Sequence, residues 1–480
     1  MKIPAQGLSQ EALFEKMESY RENDVTWRDG RTWAYVYDAG PEVESVIKKA
    51  YMSFLSENAL DPTVFPSLLR FENEVIAMAA DHLNGDENVV GNFTSGGTES
   101  IILTVKTARD YYRKHKPEIT QPEMILPVTA HAAFHKAAHY LDVKPVLVPI
   151  NPEDYRADPE KMREAINENT ILLVGSAISY AHGVVDPIEE IGKIALEHDL
   201  LFHVDACMGG FLLPYFRRLG GDVPPFGFEV PGVTSMSMDL HKYGFAAKGA
   251  SVILHKNKDI RKHQIYACAN WTGYTIINPT VQSTKSGGPL AGAWAVLNFI
   301  GDEGYMKLAK QMYDATQKIV EGIEAIDGLD LLVRPDMNLV AFTSDVADIF
   351  HVADEMNAKG WYVQPQLGYE DCPPNIHLSI NPKSARWVDD LLADLKVSLE
   401  AAKQLKQSEI VESLKDMLGS VDTATIDDSM YTQMMAMAGI EGANLPDRMA
   451  EINQLLNTLP PDFKEKMLVN FLNDLFTPAS

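Results

Sequence analysis

Short apolar runs alternate with segments whose apolar residues recur at helical spacing through the middle of this chain. Met124–Thr129, Val143–Ile150, Ile171–Ala177 and Leu200–Val204 read as strands, because a brief, nearly continuous apolar run suits a strand covered on both faces. Between them, Pro159–Asn167 and Pro187–His198 read as helices. Pro187 suits a first helical position, and Glu189 and Glu190 sit where the positive end of a helix favours acids. This alternation predicts an α/β protein built on a mostly parallel sheet.

Beyond it, Leu290–Ile326 is apolar at helical spacing and long enough to bridge two lobes as one helix. A smaller α+β unit follows. Its predicted strands lie near Leu329–Val333, Asn338–Phe342 and Ile376–Ile380, and its helices near Ala347–Lys359 and Ala385–Gln404. From residue 406 the pattern predicts a mostly helical extension, with a methionine cluster at Met430–Met437 that reads as packing. The expected organisation is an N-terminal segment 1–60, a large domain 61–290, a small domain 291–405 and a helical extension 406–480.

Composition narrows the function. Apolar residues make up 46% of the 480 and charged residues 23%, as in ordinary soluble proteins. A net charge of −25 at pH 7 disfavours nucleic acid and anionic membranes as partners, since both repel a polyanion. No run approaches the roughly 20 apolar residues of a membrane helix. The start, Met1-Lys-Ile-Pro-Ala-Gln6, lacks the apolar core of a signal peptide. Cys207, Cys268 and Cys372 are odd in number and have no metal-ligand spacing, which predicts a reduced, cytoplasmic setting with neither disulfide framework nor metal site.

Three segments carry chemistry. In Met236-Ser-Met-Asp-Leu-His-Lys-Tyr-Gly244, Lys242 has small or aromatic neighbours of little charge. Burial lowers a lysine's pKa and frees it to form a Schiff base with an aldehyde, and the adjacent His241 suits a phosphate oxygen. In His203-Val-Asp-Ala-Cys-Met-Gly-Gly-Phe211, Asp205 closes an apolar run at the carboxyl edge of the sheet, where α/β proteins place ligands. In Thr94-Ser-Gly-Gly-Thr-Glu-Ser100, the residues Ser95, Gly96, Gly97 and Thr98 open a helical run and offer backbone N–H groups to an anion. Lysine, aspartate and cradle match the aldehyde, ring nitrogen and phosphate of pyridoxal 5'-phosphate. His131, after a predicted strand, is placed to stack on the cofactor ring and move protons. His135, one turn on, reads as structural, and His203 and His182 are lesser pocket candidates.

These segments resemble the group II pyridoxal-phosphate decarboxylase superfamily, and within it the sphingosine-1-phosphate lyases. The likeness runs from Ile3-Pro-Ala-Gln-Gly-Leu-Ser9 to about residue 405 and is densest at 94–100, 131–134, 203–211, 241–244 and Lys248-Gly249. It implies the aspartate-aminotransferase fold (fold type I), with a large mostly parallel sheet domain and a smaller α+β domain. It also implies a homodimer with shared active sites, to which the 1–60 segment contributes contacts. By resemblance, Lys242 holds the cofactor, Asp205 pairs with the ring nitrogen, His131 stacks on the ring, and Tyr37 and Lys248 are further catalytic positions. Asn58 falls at a position near substrate. The chain departs from the lyase pattern at Asp61, Ile276 and Lys285, where a histidine, a tyrosine and an arginine are usual, so its substrate anchoring differs.

The expected reaction is cleavage at Cα of a small-molecule amine. As a lyase, the chain splits a 2-amino-3-hydroxy compound, with a lipid phosphate among the substrate classes, into an aldehyde and an amine. The alternative is an amino acid decarboxylase that releases carbon dioxide. A non-catalytic scaffold is the reading from outside enzymology, and the complete cofactor set argues against it.

Overall fold

In this computed structural model, residues 2–405 and 448–478 are described. Seven strands form the main sheet: β1 (Val90–Thr94), β2 (Glu123–Pro127), β3 (Lys144–Val148), β4 (Thr170–Ser176), β5 (Leu201–Asp205), β6 (Ser235–Met238) and β7 (Ser251–His255). Their order is β1-β7-β6-β5-β4-β2-β3. Only β7 runs antiparallel to its neighbours. Every residue of β4 and β5 is buried, which accounts for their largely apolar runs.

The helices that follow β1, β2, β3 and β4 are Gly97–His115, Ala133–Leu141, Pro159–Glu164 and Ile188–Glu197. Ile188–Glu197 shows why the pattern was readable: Ile188, Ile191, Ile194 and Ala195 are buried, while Glu189 and Glu190 face water. Pro187 stands at its N-cap, one residue before the expected position.

A hairpin of β8 (Tyr266–Cys268) and β9 (Ile276–Asn278) leads towards a second, four-stranded antiparallel sheet. That sheet comprises β10 (Asp330–Leu331), β11 (Leu339–Thr343), β12 (Gln364–Gln366) and β13 (Asn375–Ser379), ordered β10-β11-β13-β12. Helices Ile349–Ala358 and Val388–Ala402 pack together beside it. The N-terminal segment joins this unit, because the Trp33 amide donates to the Tyr362 carbonyl and the Ser379 amide to the Trp33 carbonyl.

The expected single bridging helix is two. Gly301 interrupts the Gly287–Glu324 stretch with φ 61° and ψ 172°, a non-helical conformation that glycine adopts without a Cβ clash. The described part of the extension contains helices Ala450–Thr458 and Pro461–Leu475. Asp354 receives both the Met449 and Ala450 amides at 3.0 Å and so fastens the first of these to the small unit. Met430–Met437 lies outside the described residues. Among them, no helix is long and apolar enough to cross a membrane.

Candidate active site

Parallel strands deliver their carboxyl ends to one edge, and there a cavity of about 410 Å³ opens. The loop after β1 contributes Ser95, Gly96, Gly97 and Thr98, the turn after β2 His131, the end of β5 Asp205, and the loop after β6 Asp239, His241 and Lys242. Residues separated by more than a hundred positions therefore share one wall.

The cradle is shaped for an anion. No side chain caps the Gly97–His115 helix, so its first-turn N–H groups remain for a ligand. A Cβ on Gly97 would lie 2.8 Å from the Cys207 sulfur and 2.9 Å from an Asp239 oxygen, so only glycine fits there. Behind the cradle, Glu99 is buried. One of its oxygens accepts the Ser95 amide at 2.6 Å and the other the Val281 amide at 2.8 Å.

Asp205 is held by a chain of hydrogen bonds. Its Oδ1 accepts the Cys207 amide at 3.1 Å and the Ser237 hydroxyl at 3.2 Å. Beneath it, His203 Nε2 lies 3.2 Å from that hydroxyl and Nδ1 2.9 Å from the Ser235 hydroxyl. Complete burial pushes the His203 pKa down to about 3, so the imidazole is neutral. With Ser237 donating to the carboxylate, His203 Nε2–H donates to Ser237. His203 thus supports Asp205 from the core and does not line the cavity. His182 is buried against Tyr155 at 4.4 Å, also away from it.

Lys242 departs from expectation in its electrostatics. Burial, the largest single influence, pulls its pKa down, as the sequence suggested, but Asp239 together with Cys207 and Tyr37 turns the balance the other way. Asp239 Oδ2 stands 3.0 Å from Lys242 Nζ, and the ammonium is held above the ordinary lysine value. His241 Nδ1 lies 2.7 Å from the Ala250 carbonyl, which aims the ring, and burial lowers its pKa. His131 Nδ1 accepts the Ala133 amide at 3.1 Å, fixing the imidazole at the cavity wall. His135 lies outside this cavity, in a shallow surface depression.

At the cavity's edge Tyr37 meets Tyr243 edge-on at 5.1 Å, and its hydroxyl reaches the Met208 sulfur at 3.9 Å. Burial raises the Tyr37 pKa and keeps its proton in place. Lys248 is exposed as a residue, yet its ammonium turns in over the Tyr37 ring at 4.5 Å. Burial of that end, with Lys242 nearby, pushes its pKa down to about 8.

Four expected substrate residues do not line this cavity. Asn58 Oδ1 accepts the Leu60 and Lys285 amides, tying two loops together. Asp61 caps its own turn through the Thr63 amide and hydroxyl. Ile276 begins β9. Lys285 turns inward to the Phe93 carbonyl at 3.2 Å and Glu72 at 3.5 Å. The structure adds Tyr180 and Cys207 to the wall, and Asp239 to the lysine. Tyr180 follows β4 at the same carboxyl edge, a position that strand ends alone would have flagged.

The residues present fit pyridoxal 5'-phosphate: an uncapped helix start closed in by Gly97, a hydrogen-bonded carboxylate at a strand end and an inward lysine share one cavity. Comparison with known proteins agrees. The pyridoxal-dependent decarboxylase conserved domain matches residues 1–345, and a C-terminal putative HTH domain of pyridoxal-dependent enzymes matches 412–474. A sphingosine-1-phosphate lyase of Arabidopsis thaliana is 45% identical over 84% of this chain and 74% of its own length. A probable L-tyrosine/L-aspartate decarboxylase of Methanothermobacter thermautotrophicus is 33% identical over 73% of this chain and 93% of its own. The solved sphingosine-1-phosphate lyase of Burkholderia pseudomallei superposes with a TM-score of 0.80 at 33% identity, covering 88% of this chain and 97% of that one.

Proposed function

Because the chain belongs to the pyridoxal-dependent decarboxylase family, we propose that it is a carbon–carbon lyase of the sphingosine-1-phosphate lyase kind, splitting a phosphorylated 2-amino-3-hydroxy compound into an aldehyde and an amine. Pyridoxal 5'-phosphate, when bound, supplies an aldehyde for amines and a ring that takes up the electrons of the broken bond. Lys242 would hold that aldehyde, and Ser95, Gly96, Gly97, Thr98 and His241 the phosphate. Asp205, anchored by Ser237 and the Cys207 amide, would keep a proton on the ring nitrogen. His131, fixed at the cavity wall, would stack on the ring.

The observation that carries the lyase reading is the Lys248–Tyr37 pair. Retro-aldol cleavage requires a base for the substrate's 3-hydroxyl proton, whereas loss of carbon dioxide does not. Lys248, with its pKa pushed down to about 8 beside a protonated phenol, becomes a proton acceptor as pH rises through that value, well below the ordinary lysine range. Decarboxylation is the second reading, favoured by the likeness to the Methanothermobacter decarboxylase.

The substrate side supports a homodimer. Asn58, Asp61, Ile276 and Lys285 lie off this chain's cavity, and the β8–β9 hairpin exposes Trp271, Tyr274 and Ile277. These segments would border the partner's site, where a lipid phosphate would be bound. The free cysteines suit a cytoplasmic setting.

One incubation tests the reaction. Cofactor-loaded protein is given phosphorylated 2-amino-3-hydroxy alkanes and, separately, common α-amino acids, and aldehyde and carbon dioxide are read by mass spectrometry. Aldehyde from the first pool is the expected result. Carbon dioxide from the second without aldehyde from the first would replace the lyase with the decarboxylase.

A further inference from the structure

Asp239 has no evident structural duty. It is 3% exposed, and among the described residues no backbone N–H donates to its carboxylate, so it caps neither a turn nor a helix. One oxygen faces Lys242 Nζ at 3.0 Å and His241 Nε2 at 3.7 Å, and the Ser251 hydroxyl stands beside the carboxylate, while Oδ1 has no hydrogen-bond partner although it is buried. A carboxylate kept dry and half-satisfied is costly unless a positive charge stands against it.

From this arrangement we infer that Asp239 is a positioning residue that holds Lys242 as an ammonium whenever that lysine is not bonded to an aldehyde. The tight turn is what brings the two together, since the Lys242 amide points back to the Asp239 carbonyl at 3.4 Å and the side chains meet three residues apart. The carboxylate lies close behind the cradle, since a Cβ added at Gly97 would come within 2.9 Å of it. The step involved is a protonation only: the lysine amine released when a substrate amine takes its place gains one proton from solvent, and the resulting ammonium is held by Asp239. A lysine parked in this way does not compete with the substrate for the aldehyde. Loading of cofactor onto the empty protein is slowed for the same reason, because Lys242 must first shed that proton.

Other titratable groups face the pair. Cys207 comes from just past β5, Tyr180 from just past β4, Tyr37 from the N-terminal segment, and His241 and Lys248 from the loop itself. Lys248 opposes the hold on Lys242. Cys207, whose thiol is pushed up by burial and by Asp205 and Asp239, stays protonated and neutral. Asp239 is thus the anion in direct contact with the lysine.

This inference rests on Lys242 being the cofactor lysine, and the experiment separates the two claims. The full-length protein is stripped of cofactor, labelled with acetic anhydride across a pH series, and the labelling of each lysine is read by peptide mass spectrometry. In the native sequence Lys242 should label at higher pH than the exposed Lys193 and Lys396. Asp239→Asn should lower its midpoint by roughly 1–3 pH units and speed cofactor uptake at neutral pH. A Lys242 midpoint at or below those of the exposed lysines in the native protein would overturn the inference even if the variant failed to fold. An unchanged midpoint in a folded Asp239→Asn protein would do the same. Borohydride reduction of the loaded protein reads the other claim, since a cofactor mass on any lysine but Lys242 would overturn the site assignment and leave the labelling result standing.

Discussion

Lys248 Nζ sits 4.5 Å above the centre of the Tyr37 ring, so a lysine with its pKa pushed down to about 8 rests on a phenol that keeps its proton. The sign of the resulting pH dependence is fixed. Below about 8 Lys248 is charged and accepts nothing, and above it the amine is free. Turnover of a 2-amino-3-hydroxy substrate should therefore rise as pH climbs through that value. Lys248→Met should flatten this limb and slow turnover roughly 10²-fold. A pH–rate series on both proteins decides it, and an unchanged limb in the variant would move the proton acceptor elsewhere.

Lys242→Ala should abolish the visible absorbance of the loaded enzyme together with its activity. Absorbance spectra with added cofactor check this. A variant that keeps both would refute Lys242 as the point of attachment.

Asp205→Asn should bind cofactor but lose roughly 10²-fold or more in turnover, because an amide does not keep the ring nitrogen protonated. Cofactor affinity and kcat measured on the same preparation separate the two effects. Near-normal kcat would mean that another group serves the ring.

Gly97→Ala puts a methyl 2.8 Å from the Cys207 sulfur and 2.9 Å from Asp239. Strain of roughly 1–3 kcal/mol is expected, along with a matching loss of phosphate contact. Equilibrium dialysis with cofactor should show weaker binding, and affinity equal to that of the native protein would mean the cradle has room to spare.

Lys285→Met should lower the melting temperature and leave KM nearly unchanged. Its side chain and that of Glu72 are each only 12% exposed, and removing the cation leaves a buried carboxylate short of a partner, costing roughly 1–3 kcal/mol. A raised KM with unchanged melting temperature would restore Lys285 as a substrate anchor.

Legibility followed the physics of each residue. β4 and β5 were readable because strands covered on both faces are mostly apolar, their few polar residues being held by buried hydrogen bonds or set at the strand ends. β12 was not, since Gln364, Pro365 and Gln366 form an edge strand whose partner lies on one side only. The break at Gly301 was hidden because apolar spacing continues on both sides of it, and a glycine's φ leaves no trace in periodicity. Lys242, Asp205 and the cradle stood out because chemistry confines such residues to strand ends and helix starts. Asp239 did not, because a lone aspartate in a loop reads as surface until the fold buries it. Asn58, Asp61, Ile276 and Lys285 were reached through family likeness, which carries a position along the chain but not the direction of a side chain.

Glu99 has a consequence beyond the shape of the cradle. The same carboxylate that receives the Ser95 amide also receives those of Val281 and Gln282, just past the hairpin that carries Trp271 and Tyr274. Whatever grips the hairpin and whatever occupies the cradle pull on one anchor. By thermodynamic reciprocity, a neighbour that tightens the hold on phosphate is itself held more tightly by the loaded protein, and to the same degree.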